Sequence, residues 1–118
     1  MRQILLPLLI TLASPLSAQD WAERDDDVAL DRAQVLDLTD GATLVFYDDG
    51  QSRFSQGGAY SYTYADGGGT AYGVYRVGED GTVCITYRNG RSRCDRYVRS
   101  GDRVVMLTER GQRFPVRP

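Results

Sequence analysis

From residue 41 onward the chain is cut by glycine-containing turns too closely spaced for anything but antiparallel β structure. The turns read as Asp48-Asp49-Gly50, Gln56-Gly57-Gly58, Asp66-Gly67-Gly68-Gly69, Glu79-Asp80-Gly81, Asn89-Gly90, Ser100-Gly101-Asp102 and Glu109-Arg110-Gly111. The runs between them are rich in Thr, Val, Tyr and Phe and predict strands over 43–47, 51–54, 59–64, 70–77, 82–88, 91–99, 103–108 and 112–116. Parallel neighbours need crossovers of roughly a dozen residues or more, and these links are far shorter. The expected fold is all-β, an antiparallel meander that either closes as a small barrel or stays a curved sheet. One short helix is expected ahead of it, from Leu30, Ala33, Gln34, Val35, Leu36 and Leu38, with Asp31 near its start and Asp40-Gly41 closing it. So short a helix is unstable alone and must pack on the sheet.

The N-terminal part divides by composition. Residues 1–18 read as a signal peptide: Arg2, then an apolar run from Ile4 to Leu12 broken by Pro7 and Thr11, then small residues around Ser14, Ser17 and Ala18. Cleavage is expected after Ala18. The alternative, a retained anchor, fits poorly with a run so short and proline-broken, because a span needs about 20 apolar residues. Residues 19–29 read as an acidic, flexible leader carrying the sole tryptophan, Trp21, and 30–118 as a single β-rich domain. An exposed lone tryptophan would be unusual, so Trp21 is expected to fold back on the body, or else to anchor a partner.

Charge is unevenly placed. Residues 19–40 hold eight carboxylates and two arginines, net −6, whereas 41–118 hold eight carboxylates and eleven arginines, net +3. Such asymmetry suits an acidic segment folding against a basic body, or a basic surface facing an anionic partner; the plainer reading is a solvated β surface that uses Arg as its only cation. Every basic side chain is Arg, and there is no His or Lys. Without imidazole the usual proton shuttle near neutral pH is missing, and Ser-His-Asp catalysis is excluded. Without lysine, Schiff-base chemistry has only the N-terminal amine.

Cys84 and Cys94 bracket the Asn89-Gly90 turn, and two registers compete for that hairpin. A three-residue loop, Arg88-Asn89-Gly90, sets Cys84 opposite Cys94, Thr86 opposite Ser92 and Ile85 opposite Arg93. A two-residue turn gathers Val83, Ile85, Tyr87, Cys94 and Val98 on one face but places Cys84 on the other, where no bridge forms without distortion. Two cysteines in an exported chain favour the first register and a structural disulfide. The spacing is not the Cys-x-x-Cys of catalytic redox pairs.

Tyrosine is the residue type that most suggests a binding role. Tyr60, Tyr62 and Tyr64 alternate and so share a strand face, with Tyr72, Tyr75, Tyr87 and Tyr97 on neighbouring strands. Tyrosine surfaces stack on sugars, flat ligands or protein loops while their hydroxyls bond. Together with Arg91 and Arg93, the face Tyr60, Tyr62, Tyr64 and Tyr72 is the candidate binding surface, suited to an anionic glycan. The competing view is that tyrosine is simply a good strand residue. The Asp-rich turns match no calcium loop and read as turn chemistry; no metal site and no cofactor is expected. Nucleic-acid binding is disfavoured by the export signal and acidic balance.

The segment holding Gly73, Tyr75, Gly81, Val83, Cys84, Tyr87, Gly90 and Cys94 resembles a motif of small exported proteins of Gram-negative bacteria classed as domains of unknown function. Tyr87 falls three residues past the first cysteine where that pattern has its aromatic two past, and Tyr75 stands where Trp is frequent. The resemblance implies an exported β domain and brings no catalytic residues. The expectation is therefore a periplasmic or secreted, non-enzymatic binding or accessory module for an envelope component or protein partner, with no membrane span after cleavage. Two alternatives stand beside it: a self-associating structural protein of the envelope, and a hydrolase working with carboxylates alone, which requires two of them in one pocket about 5 to 9 Å apart.

Overall fold

The computed structural model describes Trp21 to Pro118, and ahead of it only Gln3 and Pro7. The expected signal peptide therefore lies almost wholly outside the described residues. Among the described residues no helix is long and apolar enough to cross a membrane.

The chain forms β1 (Asp27–Ala29), α1 (Arg32–Thr39), β2 (Thr43–Val45), β3 (Gln51–Phe54), β4 (Ala59–Thr63), β5 (Thr70–Val77), β6 (Val83–Tyr87), β7 (Ser92–Ser100), β8 (Arg103–Thr108) and β9 (Arg113–Pro115). From β2 to β9 each strand pairs antiparallel with the next, so the sheet is a meander, as the short turns require. The sheet curls until its ends meet: Phe46 bridges Val116, and the Arg117 amide donates to the Val45 carbonyl at 2.8 Å. The question of barrel or open sheet thus resolves to a curled sheet whose edges touch at one bridge.

Asp31 caps α1 from both sides. Its Oδ1 accepts the Gln34 amide at 2.8 Å, while Gln34 Oε1 accepts the Asp31 amide at 2.9 Å. Only Val35 and Thr39 of this eight-residue helix are buried, and they anchor it. Val35 joins Leu30, Leu44, Phe46, Phe54, Val83, Ile85 and Tyr97 in the main core. The helix packs against β5, and the Leu30 carbonyl approaches Gly81, between β5 and β6. It therefore covers the end of the curl where β5 finishes and β6 begins, and leaves the opposite end open.

The expected flexible leader over 19–29 needs correction, because its last residues are part of the sheet. β1 pairs with β7, Val28 opposite Arg99 and Ala29 opposite Val98. The reason lies in strand length: β6 covers β7 only as far as Asp95, so the rest of that edge is unpaired until β1 takes it. Trp21 packs on Val98, Val105 and Leu107, which form a second apolar cluster on the convex side. Arg113 holds the segment through two hydrogen bonds to Asp27, Nη1 to Oδ2 at 2.5 Å and Nη2 to Oδ1 at 3.1 Å. Arg96 pairs with Glu23 at 3.0 Å. The acidic segment folding on a basic body is one of the arrangements the charge asymmetry left open.

The cysteine hairpin takes the three-residue register. Cys84 faces Cys94, Thr86 faces Ser92 and Ile85 faces Arg93, and the two cysteines are bridged. Gly90 closes the loop at φ +84°, a left-handed conformation that side chains disfavour. The Cβ atoms of the pair point to the convex side, so the staple lies outside the core. A bridge of this kind belongs to a non-reducing compartment.

A polar pair at the floor of an aromatic cleft

The three-residue register has a consequence for chemistry. It places Arg93 opposite Ile85 and Asp95 opposite Val83, so both charged side chains point to the concave, core-facing side of β7. Tyr97, two residues on, shares that face. A carboxylate there must be paired or partly neutralised, since burying an isolated charge is expensive. Asp95 is 1% exposed, and Arg93 donates to it from Nε to Oδ2 at 3.1 Å. The same guanidinium donates from Nη2 to the Tyr60 hydroxyl at 3.0 Å, and Tyr60 shares a 2.8 Å hydrogen bond with the Ser52 hydroxyl. Ser52, Tyr60, Arg93 and Asp95 thus form one connected chain across β3, β4 and β7.

The chain is not closed. Asp95 Oδ1 and the Tyr97 hydroxyl are buried with no hydrogen-bond partner in the protein. Burial raises the Asp95 carboxyl to about 6, against the opposing pull of Arg93. Burial works against the Arg93 charge as well, but Asp95 and the surrounding tyrosines more than offset it, and its pKa moves up. Of the pair, the carboxylate is the weakened member and the guanidinium keeps its charge. Tyr60, Tyr62, Tyr87 and Tyr97 all have phenols raised chiefly by burial, so they serve as neutral hydrogen-bonding groups.

Above this floor lies an open cleft of about 890 Å³ at the end of the curl that the helix leaves uncovered. Tyr62, Tyr87, Met106 and Phe114 form its walls, and Arg93 and Asp95 lie at its base. Asp48, Tyr64, Arg91, Glu109 and Arg110 stand at its mouth. The Arg93 guanidinium sits 5.3 Å from the centre of the Tyr62 ring, a cation–π contact that holds both in place. Tyr64 meets Tyr62 edge-on with centroids 4.9 Å apart.

The tyrosine face expected from alternation is divided by this architecture. Tyr60 is 3% exposed and belongs to the core, so Tyr60, Tyr62 and Tyr64 are not exposed together. Tyr62, Tyr64, Arg91 and Arg93 all line the cleft. Tyr72 pairs with Ser61, which puts it on the convex face, under the Arg88 guanidinium at 5.2 Å. Alternation identified the shared face of the three tyrosines, but the curl buries one end of that face and opens the other. Asp95 escaped notice because a single Asp amid arginines resembles a solvated strand. The signal that finds it is the hairpin register itself, which puts Arg93, Asp95 and Tyr97 on the core side together. Among the described residues, no group of three or more Cys, Asp or Glu side chains is arranged to hold a metal ion.

Fold and site together define a small, disulfide-stapled, curled antiparallel β protein with a polar and aromatic cleft at its open end. Compared with protein-family models, with curated proteins and with solved structures, the chain matches none.

Proposed function

We propose that this protein is an exported, non-enzymatic binding module that takes a small ligand of the cell envelope into the cleft at the open end of its sheet. The observation that carries this reading is the cleft itself: about 890 Å³, walled by Tyr62, Tyr87 and Phe114, with the partly exposed Arg93 guanidinium at its base engaged through only two of its N–H groups. Aromatic walls with a few convergent polar groups are the usual lining of a small-ligand site. The signal-like first 18 residues, the disulfide and the resemblance to small Gram-negative exported proteins support the envelope setting. The test is a thermal-shift panel on oxidised protein against glycans, peptidoglycan fragments and lipids, repeated on Tyr62→Ala. A dose-dependent upward shift lost in that variant supports the reading. A flat panel, with cooperative melting retained, refutes it.

One observation favours a second reading. Asp95 and Glu109 line the same cleft, and Glu109 contributes to the raised pKa of Asp95. Two carboxyl groups lining one cleft, one of them raised by burial, are the kind of pairing that carboxylate-dependent glycoside hydrolysis uses. Turnover of a bound oligosaccharide, abolished in Glu109→Gln, would favour it over binding alone.

A further inference from the structure

The charges around the cleft fall into two layers. At the mouth Arg91 and Arg110 stand against Asp48 and Glu109, so their formal charges cancel. Both carboxylates are tied to the backbone as well: Asp48 Oδ1 accepts the Gly50 amide and Glu109 Oε1 the Cys94 amide. The base therefore decides what the cleft holds. There Asp95 Oδ1 and the Tyr97 hydroxyl are buried from solvent, and Asp95 Oδ2 is taken by Arg93. Neither residue offers a ligand an acceptor.

Arg93 differs, because its side chain is 30% exposed and lines the cleft. Asp95 accepts from Nε and Tyr60 from Nη2, whereas Nη1 has no partner in the protein. Nη1 is not among the buried unpartnered atoms either, so it meets solvent, and on the concave side that solvent fills the cleft. The Tyr62 ring covers a face of the guanidinium and leaves this edge free. A guanidinium donates and cannot accept, so the base calls for an acceptor on the ligand. A carboxylate answers best, since charge-assisted hydrogen bonds are roughly twice as strong as neutral ones. Asp95 opposes a second anion on Arg93, but burial raises its carboxyl to about 6, so near that pH part of the opposing charge is absent. The other ionisable groups acting on Arg93 are the neutral phenols of Tyr60, Tyr87 and Tyr97. Tyr62, Tyr87 and Phe114 supply apolar faces for a ring that carries the carboxylate.

From this combination we infer that the cleft binds a ring-borne carboxylate, whose oxygen accepts from Arg93 Nη1. The inference rests on the binding reading above and specifies its ligand class. The test titrates ¹⁵N-labelled oxidised protein at pH 6 with two pairs of acid and neutral analogue. One pair is trigalacturonate and its methyl ester, the other 4-methylbenzoate and 4-methylbenzamide. Backbone amides and the Nε–H signal of Arg93 are followed. At least one acid should move that signal and the amides of β6 and β7 around the cleft. It should bind about tenfold more tightly than its neutral partner. Which acid does so separates a sugar acid from an aromatic acid. Arg93→Lys keeps a charge beside Asp95 but removes Nη1, and should weaken the acid about tenfold. Arg91→Gln and Arg110→Gln change exposed mouth residues that form no ion pair among the described residues, and each should weaken it by about threefold or less.

A neutral analogue that binds as tightly as its acid overturns the carboxylate inference. So does a greater loss in Arg91→Gln or Arg110→Gln than in Arg93→Lys. Should Arg93→Lys fail to fold, the wild-type titration decides, and an Arg93 Nε–H signal unmoved by a bound acid overturns the inference. Shifts confined to the convex face around Tyr72 overturn it as well. If neither acid binds while a neutral glycan or a lipid shifts the cleft amides, the ligand class is wrong and the binding module stands. If nothing binds the cleft at all, both fail.

Discussion

Replacing Asp27 with Asn tests how the N-terminal segment is held. The Asp27 side chain is 2% exposed and takes two hydrogen bonds from Arg113. Its Oδ2 also accepts the Arg24 amide at 2.8 Å. The hydrogen bonds from Arg113 foremost hold its carboxyl at about 2, below the ordinary 3.8. A difference of this size corresponds to roughly 2.5 kcal/mol favouring the charged, folded form. The variant should therefore lose about 2 kcal/mol, since Asn keeps part of the geometry but turns an amide group toward a guanidinium. The loss should fall first on β1 and the residues ahead of it, because α1 and the meander have their own core. Trp21, the sole tryptophan, reports this directly. In urea, wild type should show coincident transitions by Trp fluorescence and far-UV circular dichroism, while in Asp27→Asn the fluorescence transition should come earlier. The pH dependence has a defined sign. A depressed carboxyl stabilises above its unfolded pKa, and the contribution disappears as pH falls from about 4 to about 2. Acidification should thus release Trp21 in wild type and do little more in the variant. Coincident transitions with an unchanged midpoint in Asp27→Asn would show that apolar packing of Trp21 holds the segment without the ion pair.

Three further outcomes follow from the same structure. Asp95 should act with the opposite sign: its carboxyl is raised to about 6, so its ionisation weakens the fold as pH rises from about 4 to about 6, and urea midpoints of wild type minus Asp95→Asn should fall across that window. A difference that is flat in pH would contradict this. Reducing the Cys84–Cys94 bridge, or replacing both residues with Ala, should lower stability by about 2.5 to 3 kcal/mol on the chain-entropy model for so short a loop, measured as the change in urea midpoint with and without reductant. Gly73→Ala should destabilise by about 1 to 3 kcal/mol although it lies mid-strand, because the added Cβ would stand 2.4 Å from the Thr86 carbonyl oxygen; thermal melting checks it, and an unchanged Tm would mean that β5 and β6 separate without cost.

Much of the fold is set by local chemistry. Short glycine turns permit only antiparallel neighbours, so strands such as Gln51–Phe54, Thr70–Val77 and Arg103–Thr108 have the bounds their composition predicts. Asp31 with Gln34 three residues on is a capping signal in itself, and α1 begins there. The cysteines selected one hairpin register over another because only one puts both Cβ atoms on the same side. These are decisions made within a few residues, where spacing and periodicity carry the information.

The curl, the cleft and the fate of each tyrosine depend on contacts between distant strands. Tyr60, Tyr62 and Tyr64 are equivalent by alternation, yet Tyr60 is in the core and Tyr64 is half exposed, because α1 covers one end of the sheet and nothing described covers the other. The residues 19–29 read as a leader by charge, yet Asp27–Ala29 is a strand, because β6 is too short to cover the edge of β7. Asp95 looks like a surface acid in sequence and becomes the buried base of a cleft only when Val83, Arg93 and the far side of the curl surround it. Sequence by itself determined most strands and the turns between them and favoured one hairpin register and its bridge, since these rest on steric rules that act over neighbouring residues. Tertiary structure alone decided burial, and burial is what turns an ordinary Arg-Cys-Asp stretch into a site with a carboxyl raised by desolvation and an unpartnered oxygen.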